Sequence, residues 1–151
     1  MSPAQDRPPA SPEPIRPPAS PERSEGHIEV VAAVIERDGR ILIARRRAGS
    51  HLAGLWEFPG GKRQETESPE TALVREIREE LDASVTVGEL MEVVEWAYPD
   101  KSVRLRFFRC ALEGEPRAAE GQELAWVAPG DLPRYRFPPA DEGLVARLTR
   151  R

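Results

Sequence analysis

The chain is short of the features that mark several function classes. It has a single cysteine, Cys110, so no internal disulfide can form and a reducing compartment, the cytoplasm, is the expected setting. Cys110 lies in the apolar run "RFFRCAL", where a core role is expected rather than a nucleophile's. No apolar run reaches the ~18 residues of a membrane span, so no membrane partner is expected. No hydrophobic segment follows Met1, so no secretory signal is expected either. There is no basic surplus: 22 Lys+Arg stand against 26 Asp+Glu, a net charge of −4. That argues against a nucleic-acid polymer as partner, which leaves a cationic footprint. A single nucleotide, with few phosphates, needs only a local site. The length, 151 residues, suits one domain with a real core, as a monomer or a homodimer.

Aromatic residues are missing altogether from residues 1–26, which carry eight of the 16 prolines and the heptapeptide "RPPASPE" twice, at 7–13 and 16–22. Such a segment cannot bury enough apolar surface to offset its ordering entropy, so residues 1–26 are expected to be a disordered, partly polyproline II tail. Ser11 and Ser20, each followed by proline, are candidate phosphorylation sites on it, although a solubilising extension is the simpler reading. The folded domain is then residues 27–151.

Within it, "IEVVAAVIE" and "RILIARR" read as strands joined by Asp38-Gly39, a hairpin turn. "HLAGLWEFPGGKRQETE" reads as a long loop containing one short strand, "LWEF". Ser68-Pro69 supplies an N-cap followed by proline at the first helical position, for a helix running to about Leu81. "SVTVGELMEVVEWAY" and "VRLRFFRCALEG" are two more strands across "PDK". "ELAWVAP" is another, and "PPADEGLVARLTR" a closing helix. This order predicts an α/β domain, a mixed sheet with helices packed against it.

The helix carries "REIREEL", residues 75–81. At about 100° per residue, Glu76, Glu79 and Glu80 fall within roughly 100° of arc, beside a packing face of Leu73, Val74, Ile77 and Leu81. Like charges four apart, as in Glu76 and Glu80, cost a few tenths of a kcal/mol. Taken alone, the stretch suits a salt-bridged solvated face. Carboxylates around Mg²⁺ or Mn²⁺ are the alternative, because hard cations prefer oxygen ligands.

The upstream residues turn the balance. Gly61, Glu67, Arg75-Glu76-Ile77 and Glu79-Glu80 spell G-x5-E-x7-R-E-I-x-E-E, a pattern that resembles the Nudix box. The resemblance implies an αβα sandwich with a mixed sheet between helices, and a divalent-metal hydrolase of nucleoside diphosphates linked to another moiety. It implies Glu76, Glu79 and Glu80 as metal ligands with the Gly60 carbonyl as a further one. Arg75 would orient the first glutamates, and Glu67 would support the loop. The family usually has glycine where Asp82 stands, so a slightly altered helix end is expected.

"LWEFPGGK", "EGEPRAAEGQ" and "FPPADE" further resemble the family's MutT group, and "IEVVAAVIERDGRILIARR" its bacterial CTP pyrophosphohydrolases. This implies hydrolysis of a nucleoside triphosphate to monophosphate and pyrophosphate. Glu120 would be a further ligand or water-activating group. Glu76 is favoured as general base, with Glu79 and Glu120 as rivals. Arg46 and Lys62 suit phosphate oxygens, and Phe58 would wall a base pocket or serve as core. At Asp141, enzymes of the MutT group that act on 8-oxo-dGTP often have Asn, which both donates and accepts, whereas an ionised Asp only accepts. The substrate expected is an oxidised purine such as 8-oxo-dGTP, with cytidine nucleotides as the alternative. His27 and His51 sit in no catalytic constellation, and His51 is expected in a loop near the substrate entrance.

Overall fold

The computed structural model describes residues 27–49 and 53–150. The Pro-rich tail and His51 lie outside the described residues. Strands β1 (His27–Arg37) and β2 (Arg40–Arg45) form the expected hairpin, with Asp38 and Gly39 both at positive φ, 54° and 77°. Two consecutive left-handed residues are what a tight turn between twisted strands requires. β3 (Trp56–Glu57), β4 (Gly60–Lys62), β5 (Ser84–Tyr98), β6 (Lys101–Glu113) and β7 (Glu123–Val127) complete a seven-stranded sheet. The main path runs β3-β2-β1-β6-β5, with β4 added on β1 and β7 on β2. β1 and β6 are parallel, from His27 opposite Ser102 to Ile35 opposite Cys110, while the other pairs are antiparallel. β4 is a strand the sequence did not announce. Its three residues "GGK" carry no apolar pattern, and only pairing of Val30–Ala32 with Gly60–Lys62 makes them extended.

Alternation along β1 explains why its central run, Val30–Ile35, is apolar without a break. Val31, Ala33 and Ile35 face helix α1 (Pro69–Leu81), while Ala32 and Val34 face the opposite core. A strand covered on both faces has no solvent side on which to place polar residues. The second face is covered by helix α2 (Glu142–Thr149) through Leu144, Val145 and Leu148, preceded by 3-10 turns at Pro129–Arg134 and Pro139–Asp141. The result is the helix-sheet-helix sandwich expected. Cys110 is buried beneath α1, where burial pushes its thiol up to about 11, which leaves it inert.

α1 begins at Ser68, whose Oγ accepts from Thr71 N–H at 3.1 Å, with Pro69 at the first position. It buries Ala72, Leu73, Ile77 and Leu81, each large side chain contributing about 1.5–3 kcal/mol. Val74 is a correction: it is 42% exposed, because the buried arc centres on Leu73 and Glu80 and leaves Val74 at its margin. The helix ends at Asp82, left-handed at φ 53°, whose N–H donates to the Arg78 carbonyl at 3.0 Å. A left-handed non-glycine residue costs about 1 kcal/mol, less for Asp than for most.

Asp82→Gly should therefore raise the unfolding free energy by up to about 1 kcal/mol, and Asp82→Ala should lower it by a similar amount. Urea midpoints at unchanged slope are the measurement. A glycine variant no more stable than the alanine variant would show that this cap carries no strain.

Candidate active site

The site is built where β4 meets α1. At Gly60 a Cβ would collide with the Val31 carbonyl, and at Gly61 it would overlap the Glu76 carboxylate. Close approach, rather than an unusual φ, is what these two positions demand. The loop that follows folds back onto the helix through Arg75. Its Nε donates to Glu67 Oε2 at 2.6 Å and its Nη2 to Glu67 Oε1 at 2.9 Å, a bidentate pair. The same guanidinium donates to the Lys62 carbonyl at 3.1 Å, to Glu76 Oε2 at 3.0 Å, and to Glu79 at 3.4 Å. Glu67 also accepts from the Gln64 N–H at 2.9 Å. The hydrogen bonds from Arg75 and Gln64 hold its carboxyl down to about 2, so it stays ionised.

The glutamates of the helix occupy three different environments. Glu80 is buried at 7% exposure and accepts from the Gly60 N–H at 3.0 Å. Burial, followed by the charges of Glu57, Glu120 and Glu76, pushes its carboxyl up to about 8. Glu76 is half-buried and also raised, chiefly by burial, with Arg75 opposing. Glu79 is exposed. Glu120 arrives from the loop before β7, on an exposed lip, and its charge is felt at Glu57, Glu76 and Glu80.

A cleft of about 330 Å³ opens beside this ridge. Its lining includes Glu80, Gly60, Gly61, Lys62 and Glu120 at one end and Asp141 at the other, with Arg46, Glu57 and Phe58 between. Arg46 Nη1 donates to the Glu57 carboxylate. Phe58 stacks on Phe137 at 5.4 Å and meets Phe107 edge-on at 5.8 Å, so it is a core aromatic that backs the cleft. Asp141 is 5% exposed, and burial, then the Glu57 charge, pushes its carboxyl well above the usual carboxylate range. Burial and the Glu57 charge therefore favour the protonated form of Asp141 over the ionised, acceptor-only one. A buried neutral carboxyl both donates and accepts, as an amide does.

Of the residues singled out from the sequence, Gly60, Gly61, Lys62, Glu80, Glu120, Arg46, Phe58 and Asp141 share the cleft. Glu76 adjoins it across Gly61, while Arg75, Glu67 and Glu79 lie on the outer side of the ridge. The sequence did not single out Glu57, Tyr98, Lys101 or Gln122, which also line it. For Glu57 a signal existed: it is the one charged residue in the apolar stretch "LWEF". Among the described residues, no three or more His, Cys, Asp or Glu side chains are drawn close enough to form a closed metal cage. In kind, the donor set fits a hard divalent cation. It offers oxygen ligands only, from several carboxylates that raise one another's affinity for positive charge.

A family model described as "NUDIX domain" matches residues 30–147. The CTP pyrophosphohydrolase of Escherichia coli (strain K12) is 46% identical over 119 residues, covering 78% of this chain and 88% of that protein. The 8-oxo-dGTP diphosphatase of the same strain is 38% identical over 125 residues, covering 82% and 97%. Among solved structures, the solution structure of the E. coli ORF135 protein superposes with a TM-score of 0.71 at 45% identity, covering 80% of this chain and 86% of that one.

The Glu80 environment has a consequence for stability. Its folded value, about 8, lies above the ordinary 4.5, so between these values the folded protein binds more protons than the unfolded chain. Glu80 thus favours folding below about pH 4.5 and progressively less as pH rises toward 8. Metal-free protein should show this as a fall in Tm between pH 5 and 8 that is shallower in Glu80→Gln, the remainder coming from the other raised carboxyls. Equal slopes of Tm with pH in both proteins would contradict the assignment.

Proposed function

The chain belongs to the NUDIX domain family, and from that membership we propose that it is a metal-dependent nucleoside triphosphate diphosphatase. It hydrolyses NTP to NMP and pyrophosphate, and the substrate class favoured is an oxidised purine nucleotide such as 8-oxo-dGTP. The observation that carries the reading is the ridge of Glu76 and Glu80, held by Arg75 and Gly60, at one end of a cleft whose other end is Asp141. Phosphates belong at the ridge and the base at Asp141, and the cleft has room for one nucleotide rather than a polymer.

Glu76, Glu79, Glu80, Glu120 and the Gly60 carbonyl are the groups that would hold Mg²⁺ or Mn²⁺. Bound there, the cation supplies charge neutralisation on phosphate oxygens and a lowered pKa for bound water. Arg75 keeps Glu76 oriented and ionised against the burial that favours its protonation. Glu76 is placed to take the proton of the attacking water, since it is half-buried and its proton affinity is raised. Arg46 and Lys62 bring cationic heads to the cleft, Arg46 exchanging or sharing Glu57 with a phosphate oxygen. Asp141, as a neutral acid, donates to O6 of 8-oxoguanine and accepts from its N7–H.

A cytosine base is the second reading. The 46% identity to a CTP pyrophosphohydrolase favours it, and the same donor and acceptor pair fits N3 and N4 of cytosine. Pyrophosphate release from 8-oxo-dGTP, dGTP, CTP, dCTP and 5-methyl-dCTP decides between the two.

Glu79→Gln and Glu80→Gln should each lower Mg²⁺-dependent turnover by at least about 100-fold with the fold retained. Activity like wild type in both variants would sink the metal-ridge reading. At the other end, Asp141→Ala should raise KM about tenfold or more with kcat little changed, the loss of about one base-edge contact. Asp141→Asn should keep kcat/KM within about threefold, because the amide offers the same donor and acceptor. An asparagine variant as poor as the alanine variant would mean that an ionised carboxylate reads the base.

A further inference from the structure

Glu120 and Glu80 reach the cleft from elements that the chain separates by 40 residues, and one buried side chain bonds to the backbone of both. Gln122 is 8% exposed. Its Nε2 donates to the Glu80 carbonyl at 3.0 Å, and its Oε1 accepts from the Glu120 N–H at 3.0 Å. A carbonyl can only accept and an N–H only donate, so the orientation of this amide is fixed by its partners. We propose that Gln122 is a positioning residue that sets the register between the C-terminal turn of α1 and the Glu120 loop. The proposal rests on the reading of Glu120 as a metal ligand.

The surroundings explain why this contact and not the rest of the loop would matter. The last carbonyls of any helix lack partners within it. Here the loop supplies them: Arg117 N–H donates to the Leu81 carbonyl at 2.8 Å, and Ala119 N–H to that of Glu80 at 3.2 Å. Those two bonds dock the loop at 117–119. Beyond them, Gly121 turns the chain at φ 76° before β7 begins at Glu123. Between the docked segment and the strand, the Gly121 N–H donates to the Ala118 carbonyl at 3.1 Å, and the Glu120 N–H is held by the Gln122 amide and its carbonyl by exposed Arg47 at 3.2 Å. Loss of the Gln122 amide therefore leaves the loop docked and lets Glu120 shift relative to Glu80.

The test is Mn²⁺ binding to the metal-free protein without nucleotide, followed by electron paramagnetic resonance or calorimetry. Gln122→Met keeps the length and the burial while removing both bonds. It should weaken Mn²⁺ about tenfold, as loss of a group that orients a ligand does. Added to Glu120→Gln, it should cause no further weakening, since it acts through Glu120. The Glu120 amide of the metal-free variant should also exchange its hydrogen at least about tenfold faster than in wild type. Additive losses, or an unchanged exchange rate, would overturn the proposal. Glu120→Gln that binds Mn²⁺ like wild type would overturn the ligand reading and the proposal with it. A weakened Glu120→Gln beside an unaffected Gln122→Met would overturn the proposal alone. If Gln122→Met does not fold, the smaller Gln122→Ala removes both bonds without overpacking and without adding charge, and the same non-additivity is required of it.

Discussion

The guanidinium of Arg75 is the contact on which the shape of the ridge depends. Three carboxylates and a backbone carbonyl converge on it, from the loop (Glu67, Lys62) and from the helix (Glu76, Glu79). A loop of this length ties up little apolar surface, and its ordering entropy has to be met by something other than burial. The bidentate Glu67 pair does that, with two charge-assisted bonds of fixed planar geometry. The same cation leaves Glu76 with an opposite charge at 3.0 Å, which is why a half-buried carboxylate can sit against the Gly61 backbone at all. A lysine there would supply the charge without the fork.

The opposite end of α1 is organised by backbone rather than charge. Its terminal carbonyls recruit the amides of Arg117 and Ala119, so the loop that brings Glu120 is registered on the very turn that carries Glu80. The helix is thus tied to both loops of the site, by a guanidinium near its middle and by its orphan carbonyls at its end. The sheet supplies the third constraint: β4, pairing with β1, places the Gly60 N–H 3.0 Å from Glu80.

Local signals in the sequence revealed more of the fold than distant ones did. The hairpin at Asp38-Gly39, the Ser68-Pro69 start and the strands flanking "PDK" all follow from turn chemistry, capping or apolar pattern within a short window. β4 was hidden because three residues without apolar pattern become a strand only through a partner 30 residues away. Val74 was misplaced because a helical projection gives an apolar sector but not the direction of its centre. In the site, the box residues were legible because their spacing is itself the chemistry. Glu57 and Gln122 were not, since each gains its meaning from a neighbour across the fold: Arg46 and Asp141 for one, Glu80 and Glu120 for the other. The burial that favours protonation of Asp141 was hidden for the same reason, being a property of the assembled cleft.

The assembled cleft contains a run of acids, Glu120, Glu80, Glu57 and Asp141, with Arg46 paired to Glu57 and other cations, Lys62 and Lys101 among them, along its lining. Folding alone gives no reason for this. The carboxyls of Glu57, Glu80 and Asp141 are raised by burial first and by neighbouring charges second, so without a cation their ionised forms are less favourable there than in solvent. On the function proposed above, a divalent cation held at the Glu80 end would remove that disadvantage. At the Asp141 end the same condition favours the protonated carboxyl, the form that can donate. One electrostatic condition, too many acids in too little water, therefore does different work at the two ends of the cleft. Glu57, paired with Arg46, lies between them and its charge is felt at both Glu80 and Asp141, so any change in that pair would act on both ends at once.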